Sequence, residues 1–119
     1  MSDGPARGRV QTVLGPIDPR DLGWVLPHEH TAIALWHIPN RWDYWELRRD
    51  QPVIVEELAA FRAAGGGAIV DLTLDGVGRD PEWLAGLGRA TGLHVVMGPG
   101  HQLAHRISLE LTSQGFCAR

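Results

Sequence analysis

The 119-residue sequence predicts an α/β fold with a parallel sheet, and three observations support this prediction. The segments "AIVDLT" at 68–73 and "LHVVMG" at 93–98 are short and nearly all apolar, which is typical of strands covered on both faces. A segment with helical spacing of apolar residues precedes each of them. Each helical segment has an aspartate at its start and a glycine at its end. Strands and helices that alternate in this way pair in parallel through βαβ crossovers.

Residues 1–24 are predicted to form an N-terminal leader with a short strand and a turn. The β-branched and apolar segment "VQTVL" at 10–14 predicts the strand, and Gly15-Pro16 predicts the turn that follows. Between Asp18 and Gly23 the sequence is typical of a single helical turn, with aspartate at the cap and glycine at the exit.

The first strand of the sheet is predicted at 25–30, "VLPHEH", where it carries two histidines one residue apart. Side chains at i and i+2 of a strand emerge on the same face, so His28 and His30 would lie side by side. Two neutral imidazoles form half of a metal site. The alternative is a pair of polar residues that close the strand at the surface. Pro27 removes one ladder donor and predicts an irregular strand.

Residues 31–49 are predicted to form an ordered loop after this strand, because they contain an aromatic cluster without clear periodicity. Two interpretations of these rings stay open, a functional loop or local core packing. The cluster consists of Trp36, Trp42, Tyr44 and Trp45.

Two helices are predicted, near 52–64 and near 81–91. The first has an apolar stripe at i, i+4 and i+7, with Asp50 as its cap and Gly65 as its stop. Asp80-Pro81-Glu82 begins the second with a cap, a proline in the first turn and an early acid, and Gly92 ends it. The inward stripes are Ile54, Leu58 and Phe61 in the first helix, and Leu84, Leu87 and Thr91 in the second.

Both a doubly wound sheet and a (β/α)8 TIM barrel have this element order. The first strand ends in His-Glu-His rather than in the glycine fingerprint of dinucleotide-binding sheets, which favours the barrel. Barrel chemistry lies at the C-terminal ends of strands, where His28 and His30 fall. A complete barrel needs roughly 250 residues. The prediction is therefore an incomplete barrel, with 25–119 as its strand-helix-strand-helix-strand portion.

Composition excludes several classes of function. A formal charge of −3 gives no reason to expect nucleic acid or an anionic membrane as partner, and no apolar run is long enough to span a bilayer. The N-terminus lacks the features of a secretory signal. A single cysteine, Cys117, fits a reducing compartment and predicts a cytoplasmic chain. The sequence has no lysine, so Gly65-Gly66-Gly67 is not the phosphate loop of P-loop proteins.

Three segments together carry a family resemblance. The segments "TVLGPIDPRDLGWVLPHEH", "AAGGGAIVDLTLDGVGRD" and "ATGLHVVMG" resemble the phosphotriesterase family, metal-dependent hydrolases within the amidohydrolase superfamily. The resemblance covers roughly residues 9–100. It implies a (β/α)8 barrel with a binuclear metal centre, commonly zinc, in which His28 and His30 bind one metal. A metal-activated hydroxide would then hydrolyse a small phosphotriester, lactone or related ester.

The chain departs from the family pattern in two respects. In that family a carboxylated lysine bridges the two metals, and later strands supply two histidines and an aspartate as further ligands. These residues have no counterpart here, and residues 101–119 form a divergent tail. We therefore expect a truncated or frameshifted product or an incomplete gene prediction. At most one weakly held zinc and no catalytic residue are assigned to this chain. The alternative is a catalytically inactive fragment with a folding or interaction role, which would self-associate through an unpaired strand.

The remaining candidates are predicted to be structural. His94 begins the third strand at the end away from the site. His101 and His105 could share a metal on a helix, but they lie in the divergent tail, and ligation there is not favoured. Asp71 is either a partner of a metal ligand or a satisfied structural acid, and we prefer the second interpretation. Cys117 is interpreted as an incidental thiol, and Arg79 and Asp80 as residues that organise the loop and the helix start.

Overall fold

A three-stranded parallel sheet with two helices forms the centre of the protein. The computed structural model describes residues 8–35, 46–47 and 49–98. In chain order the strands are β1 (Val10–Thr12), β2 (Gly15–Ile17), β3 (Trp24–Glu29), β4 (Ile33–Ala34), β5 (Glu46–Leu47), β6 (Gly66–Asp71) and β7 (His94–Met97). The helices are a 3-10 turn (Pro19–Asp21), α1 (Gln51–Ala63) and α2 (Pro81–Thr91).

The sheet has the strand order β3-β6-β7, and both pairings are parallel. This confirms the predicted α/β class and the crossover connections. Between Leu26 and Glu29 the first strand advances three residues while its partner advances only two, from Ile69 to Asp71. The extra residue is a bulge next to Pro27, which has no N–H to donate to a ladder. The irregularity predicted from Pro27 is thus confirmed.

The helices begin and end close to the predicted positions. The carboxylate of Asp50 accepts a hydrogen bond from the backbone N–H of Val53, and that of Asp80 accepts from Glu82 and Trp83. Gly92 follows α2 with φ of 73°, the left-handed conformation that glycine adopts without strain. The caps and stops therefore act as the sequence predicts.

The core lies between the helices and one face of the sheet. Its buried members are Ile69, Leu84, Leu87, Leu93 and Val95. The predicted stripe of α1 packs against this cluster through Ile54, Leu58 and Phe61, although no residue of α1 is fully buried. Val70 and Val96 pair across the opposite face of the sheet, where both are half-buried.

The start of β6 differs from the prediction by two residues, because Gly66 and Gly67 belong to the strand. A Cβ on Gly67 would collide with the carbonyl oxygen of Leu22, and one on Gly66 would lie 2.5 Å from the ring of Phe61. These glycines permit the close approach of β6 to the chain before β3 and to α1. They have a packing role.

The predicted turn at Gly15-Pro16 is wrong. Both residues lie in β2, which pairs antiparallel with β1, and the hairpin turn is at Val13 and Leu14. The Thr12 hydroxyl donates to the carbonyl of Gly15 at 2.7 Å and accepts from the N–H of Leu14 at 3.2 Å. These local hydrogen bonds close the turn two residues earlier than the predicted Gly15-Pro16 position.

The described part of the 31–49 segment contains a short antiparallel pair, β4 with β5. The predicted aromatic cluster, namely Trp36, Trp42, Tyr44 and Trp45, lies outside the described residues, as does the tail 101–119. Among the described residues, neither helix is long and apolar enough to cross a membrane.

Candidate metal site

His28 and His30 lie together at the C-terminal end of β3. Their ring centroids are 5.3 Å apart, and the ring planes meet at 71°. His28 is exposed, whereas His30 follows the last strand residue and is half-buried. The two rings are therefore neighbours, as the i, i+2 spacing predicts.

A threonine just beyond the end of β6 contacts one nitrogen of His30. The Nδ1 atom of His30 lies 3.0 Å from the hydroxyl oxygen of Thr73, which follows β6. Thr73 is buried, with 2% of its surface exposed. With Nδ1 engaged in this contact, Nε2 is the ring nitrogen that remains for another ligand.

The carboxylate of Asp71, at the end of β6, organises the chain on both sides of this contact. It accepts hydrogen bonds from the backbone N–H of Thr31 at 3.0 Å, the hydroxyl of Thr31 at 2.8 Å and the backbone N–H of Thr73 at 2.8 Å. Asp71 is 1% exposed, so these three donors replace the water that its charge would otherwise attract. Asp71 is therefore a satisfied buried acid, and through Thr31 and Thr73 it also contacts the chain around His30.

Helix α2 is joined to the same network. The indole N–H of Trp83 donates to the hydroxyl of Thr31 at 3.0 Å. Asp80, the cap of α2, also forms an ion pair with Arg49 at 3.2 Å, between partly exposed side chains. Asp80 thus organises the helix start, as the sequence predicts.

The other predicted site residues do not join the histidine pair. His94 is the first residue of β7, where it pairs with Ala68 near the start of β6, at the end of the sheet away from His28. His101, His105 and Cys117 lie outside the described residues. Within the described ranges, no group of three or more His, Cys, Asp or Glu side chains is placed to hold a metal.

Three residues of the site were missed by sequence reasoning, namely Thr31, Thr73 and Trp83. A signal was present for Thr73, because it stands two residues after Asp71, the last residue of a strand that ends at the same sheet edge as the histidines. Threonine is common in strands for packing reasons alone, so its spacing did not identify a partner for His30.

A parallel sheet with crossover helices is the architecture of (β/α)8 barrels, and the histidine pair lies at the C-terminal strand end, where such barrels carry their functional sites. The chain belongs to the phosphotriesterase family, whose model matches residues 8–108. It is 36% identical over 122 residues to the N-acetyltaurine hydrolase of Tetraodon nigroviridis, a match that covers 79% of this chain and 35% of that protein.

Solved structures confirm the barrel portion. A resiniferatoxin-binding protein from Rhodobacter sphaeroides matches with a TM-score of 0.71 at 32% identity, over 82% of this chain and 35% of that one. The organophosphorus hydrolase of Deinococcus radiodurans matches with a TM-score of 0.63 at 28% identity, over 78% of this chain and 28% of that one. The chain thus spans about a third of the length of the relatives that it matches.

Proposed function

We propose that this chain supplies the first-strand part of the metal centre of a phosphotriesterase-type hydrolase. The observation that carries the proposal is the pair of neighbouring imidazoles, His28 and His30, at the C-terminal end of β3. Catalytic groups of (β/α)8 barrels lie at this end of the strands. The family match and the hydrolase relative support the same conclusion.

The residues present fit a zinc ion. Imidazole nitrogen is a preferred zinc ligand, and a ligating histidine usually has its other nitrogen hydrogen-bonded to a protein group. His30 has this arrangement, since its Nδ1 is held by the Thr73 hydroxyl. The exposed ring of His28 is open to solvent, from which a metal would enter. His28 and His30 would hold the ion through one nitrogen each, which is half of a tetrahedral shell.

A divalent metal bound here would lower the pKa of a coordinated water and polarise the bond to be hydrolysed. The role of the protein chain is to orient the two histidine ligands. The bulge at Pro27 and the Asp71 hydrogen bonds to Thr31 fix the backbone on either side of the histidines. Hydrolysis needs further metal ligands besides His28 and His30, and we assign none of these to residues 8–35, 46–47 or 49–98.

The substrate class that we propose is a small molecule with a hydrolysable phosphoryl or acyl group. Support comes from the family name and from the relatives, one an N-acetyltaurine hydrolase and one an organophosphorus hydrolase. Phosphotriesters, lactones and N-acyl compounds share a polarised P=O or C=O group that a Lewis acid activates before attack by water.

Calorimetric titration with zinc tests the metal site. We expect weak binding by the 119-residue chain, in the range typical of two protein ligands, and loss of this binding in His28→Ala and His30→Ala. His94→Ala is the matched control, because it removes an imidazole at the other end of the sheet. Binding that survives both site substitutions, or that is lost equally in the control, would contradict the assignment.

A chimera tests the hydrolase proposal. Residues 8–98 would replace the matching segment of the Deinococcus radiodurans enzyme, and organophosphate hydrolysis and bound zinc would be measured together. We expect activity that His30→Ala in the chimera abolishes. A folded, zinc-loaded chimera without hydrolysis would contradict the proposal, because all the ligands would then be present.

A further inference from the structure

We propose that Thr73 is a positioning residue for His30, and that it selects the ring tautomer whose Nε2 is free to bind a metal. The inference rests on the proposed function and deepens it by naming a residue outside the histidine pair. It starts from the 3.0 Å contact between the Thr73 hydroxyl oxygen and Nδ1 of His30.

The direction of this hydrogen bond follows from the other contact of the hydroxyl. Thr73 donates its single hydroxyl proton to the carbonyl of Ala32, at 3.4 Å. A carbonyl oxygen has no proton to give, so this contact needs the hydroxyl proton. With its proton given to Ala32, the hydroxyl offers Nδ1 a lone pair, which favours the tautomer with the ring proton on Nδ1. In a neutral imidazole, Nε2 is consequently left with a lone pair, which is the form a metal requires.

The position of the hydroxyl is itself tightly determined. The backbone N–H of Thr73 donates to Asp71, whose other oxygen holds Thr31 directly after His30. Both Thr73 and Asp71 are buried, so water does not compete for these bonds. The same carboxylate therefore sets the relative position of Thr73 and of the chain that carries the imidazole. A rotation of the Thr73 side chain would give up the contacts to both Ala32 and His30.

The ring tautomer provides the first test, and it needs no metal. Nitrogen-15 NMR of the imidazoles distinguishes a neutral ring protonated at Nδ1 from one protonated at Nε2. We expect Nδ1–H for His30 in the wild-type chain, and loss of this preference in Thr73→Val, which keeps the shape of the side chain and removes the hydroxyl. Thr73→Ser should restore it. An Nε2–H tautomer in the wild-type chain would overturn the proposal without any variant.

Zinc affinity, measured by calorimetry on the same proteins, provides the second test. Loss of a hydrogen-bond partner of a ligating histidine typically weakens metal binding about 10- to 100-fold, and we expect this for Thr73→Val. The matched control is Thr91→Val, because the Thr91 hydroxyl also donates to a backbone carbonyl, that of Leu87, at 2.7 Å, but lies at the end of α2. Its affinity should equal that of the wild type.

The outcomes separate the two proposals. A wild-type chain that binds no zinc would refute the metal site and, with it, the positioning role. Zinc binding in the wild type with an unchanged affinity in Thr73→Val would refute the role of Thr73 alone. Equal weakening in Thr73→Val and Thr91→Val would show a general loss of stability and would also refute it.

Discussion

Replacement of Asp71 by asparagine should destabilise the chain more than any exposed Asp→Asn change. Among the described residues, Thr31 gives the Asp71 carboxylate two hydrogen bonds and Thr73 gives it one, and the Asp71 side chain is almost completely buried. An asparagine amide has only one acceptor oxygen. Its least costly orientation keeps that oxygen near Thr31 and turns the NH2 group towards the N–H of Thr73, so that two donors face each other.

The magnitude follows from these contacts. A buried donor left without an acceptor costs about 1–3 kcal/mol, and the two remaining bonds lose the strength that the negative charge gives them. We therefore expect a loss of roughly 3 kcal/mol, a large part of the ~5–15 kcal/mol typical of a folded domain. With a urea m-value of about 1.5 kcal/mol per M, the unfolding midpoint should fall by about 2 M.

Urea unfolding followed by far-UV circular dichroism measures this change. Asp21→Asn is the matched control, since Asp21 is exposed in the 3-10 turn and its substitution should leave the midpoint nearly unchanged. An Asp71→Asn midpoint within about 0.3 M of the wild type, at an unchanged m-value, would refute the reasoning, because the buried charge would then contribute nothing that a neutral amide lacks.

Two further predictions concern the glycines and the catalytic competence of the chain. Gly67→Ala should destabilise by about 1–3 kcal/mol in the same urea assay, because the new Cβ would meet the Leu22 carbonyl oxygen. Gly86→Ala, in α2 with open space around the new methyl group, should instead stabilise by about 0.4–1 kcal/mol, and the reverse order would contradict the packing argument. With zinc or manganese supplied, the 119-residue chain alone should hydrolyse phosphotriesters and lactones no faster than its His30→Ala variant. The reason is that hydrolysis at a two-metal centre needs both metals held close together. The resemblance implies a carboxylated lysine as the bridge between them, and this sequence contains no lysine. Release of a chromogenic product well above that of the variant would show that other residues complete the site.

Local sequence determined the two helices, the strands of the parallel sheet and the place of the histidine pair. Asp50 and Asp80 bond to N–H groups no more than three residues away, and Gly92 ends α2 through its own conformation. The side-by-side arrangement of His28 and His30 follows from the two-residue period of a strand. Each of these features depends on neighbours within a few positions, so the pattern of residues is sufficient to predict it.

The start of β6 and the first hairpin could not be predicted in the same way. Gly66 and Gly67 are read as loop residues from sequence, but they join the strand because Phe61 and Leu22 pack against them. The hairpin turn lies at Val13 and Leu14 because the Thr12 side chain bonds across it. In both places a contact with a particular neighbour outweighs the general preference of glycine for turns.

Only the tertiary structure decided what surrounds the histidines. Thr73 meets His30 across 43 positions of sequence, Asp71 meets Thr31 across 40, and Trp83 meets Thr31 across 52. These pairs come together because parallel strands bring their C-terminal ends to one edge of the sheet, whereas the choice of partners depends on the register of β3 against β6 and on the bulge at Pro27. Pro27 indicates the irregularity, but sequence spacing does not give the register, since register is set by packing between segments that are distant in the chain.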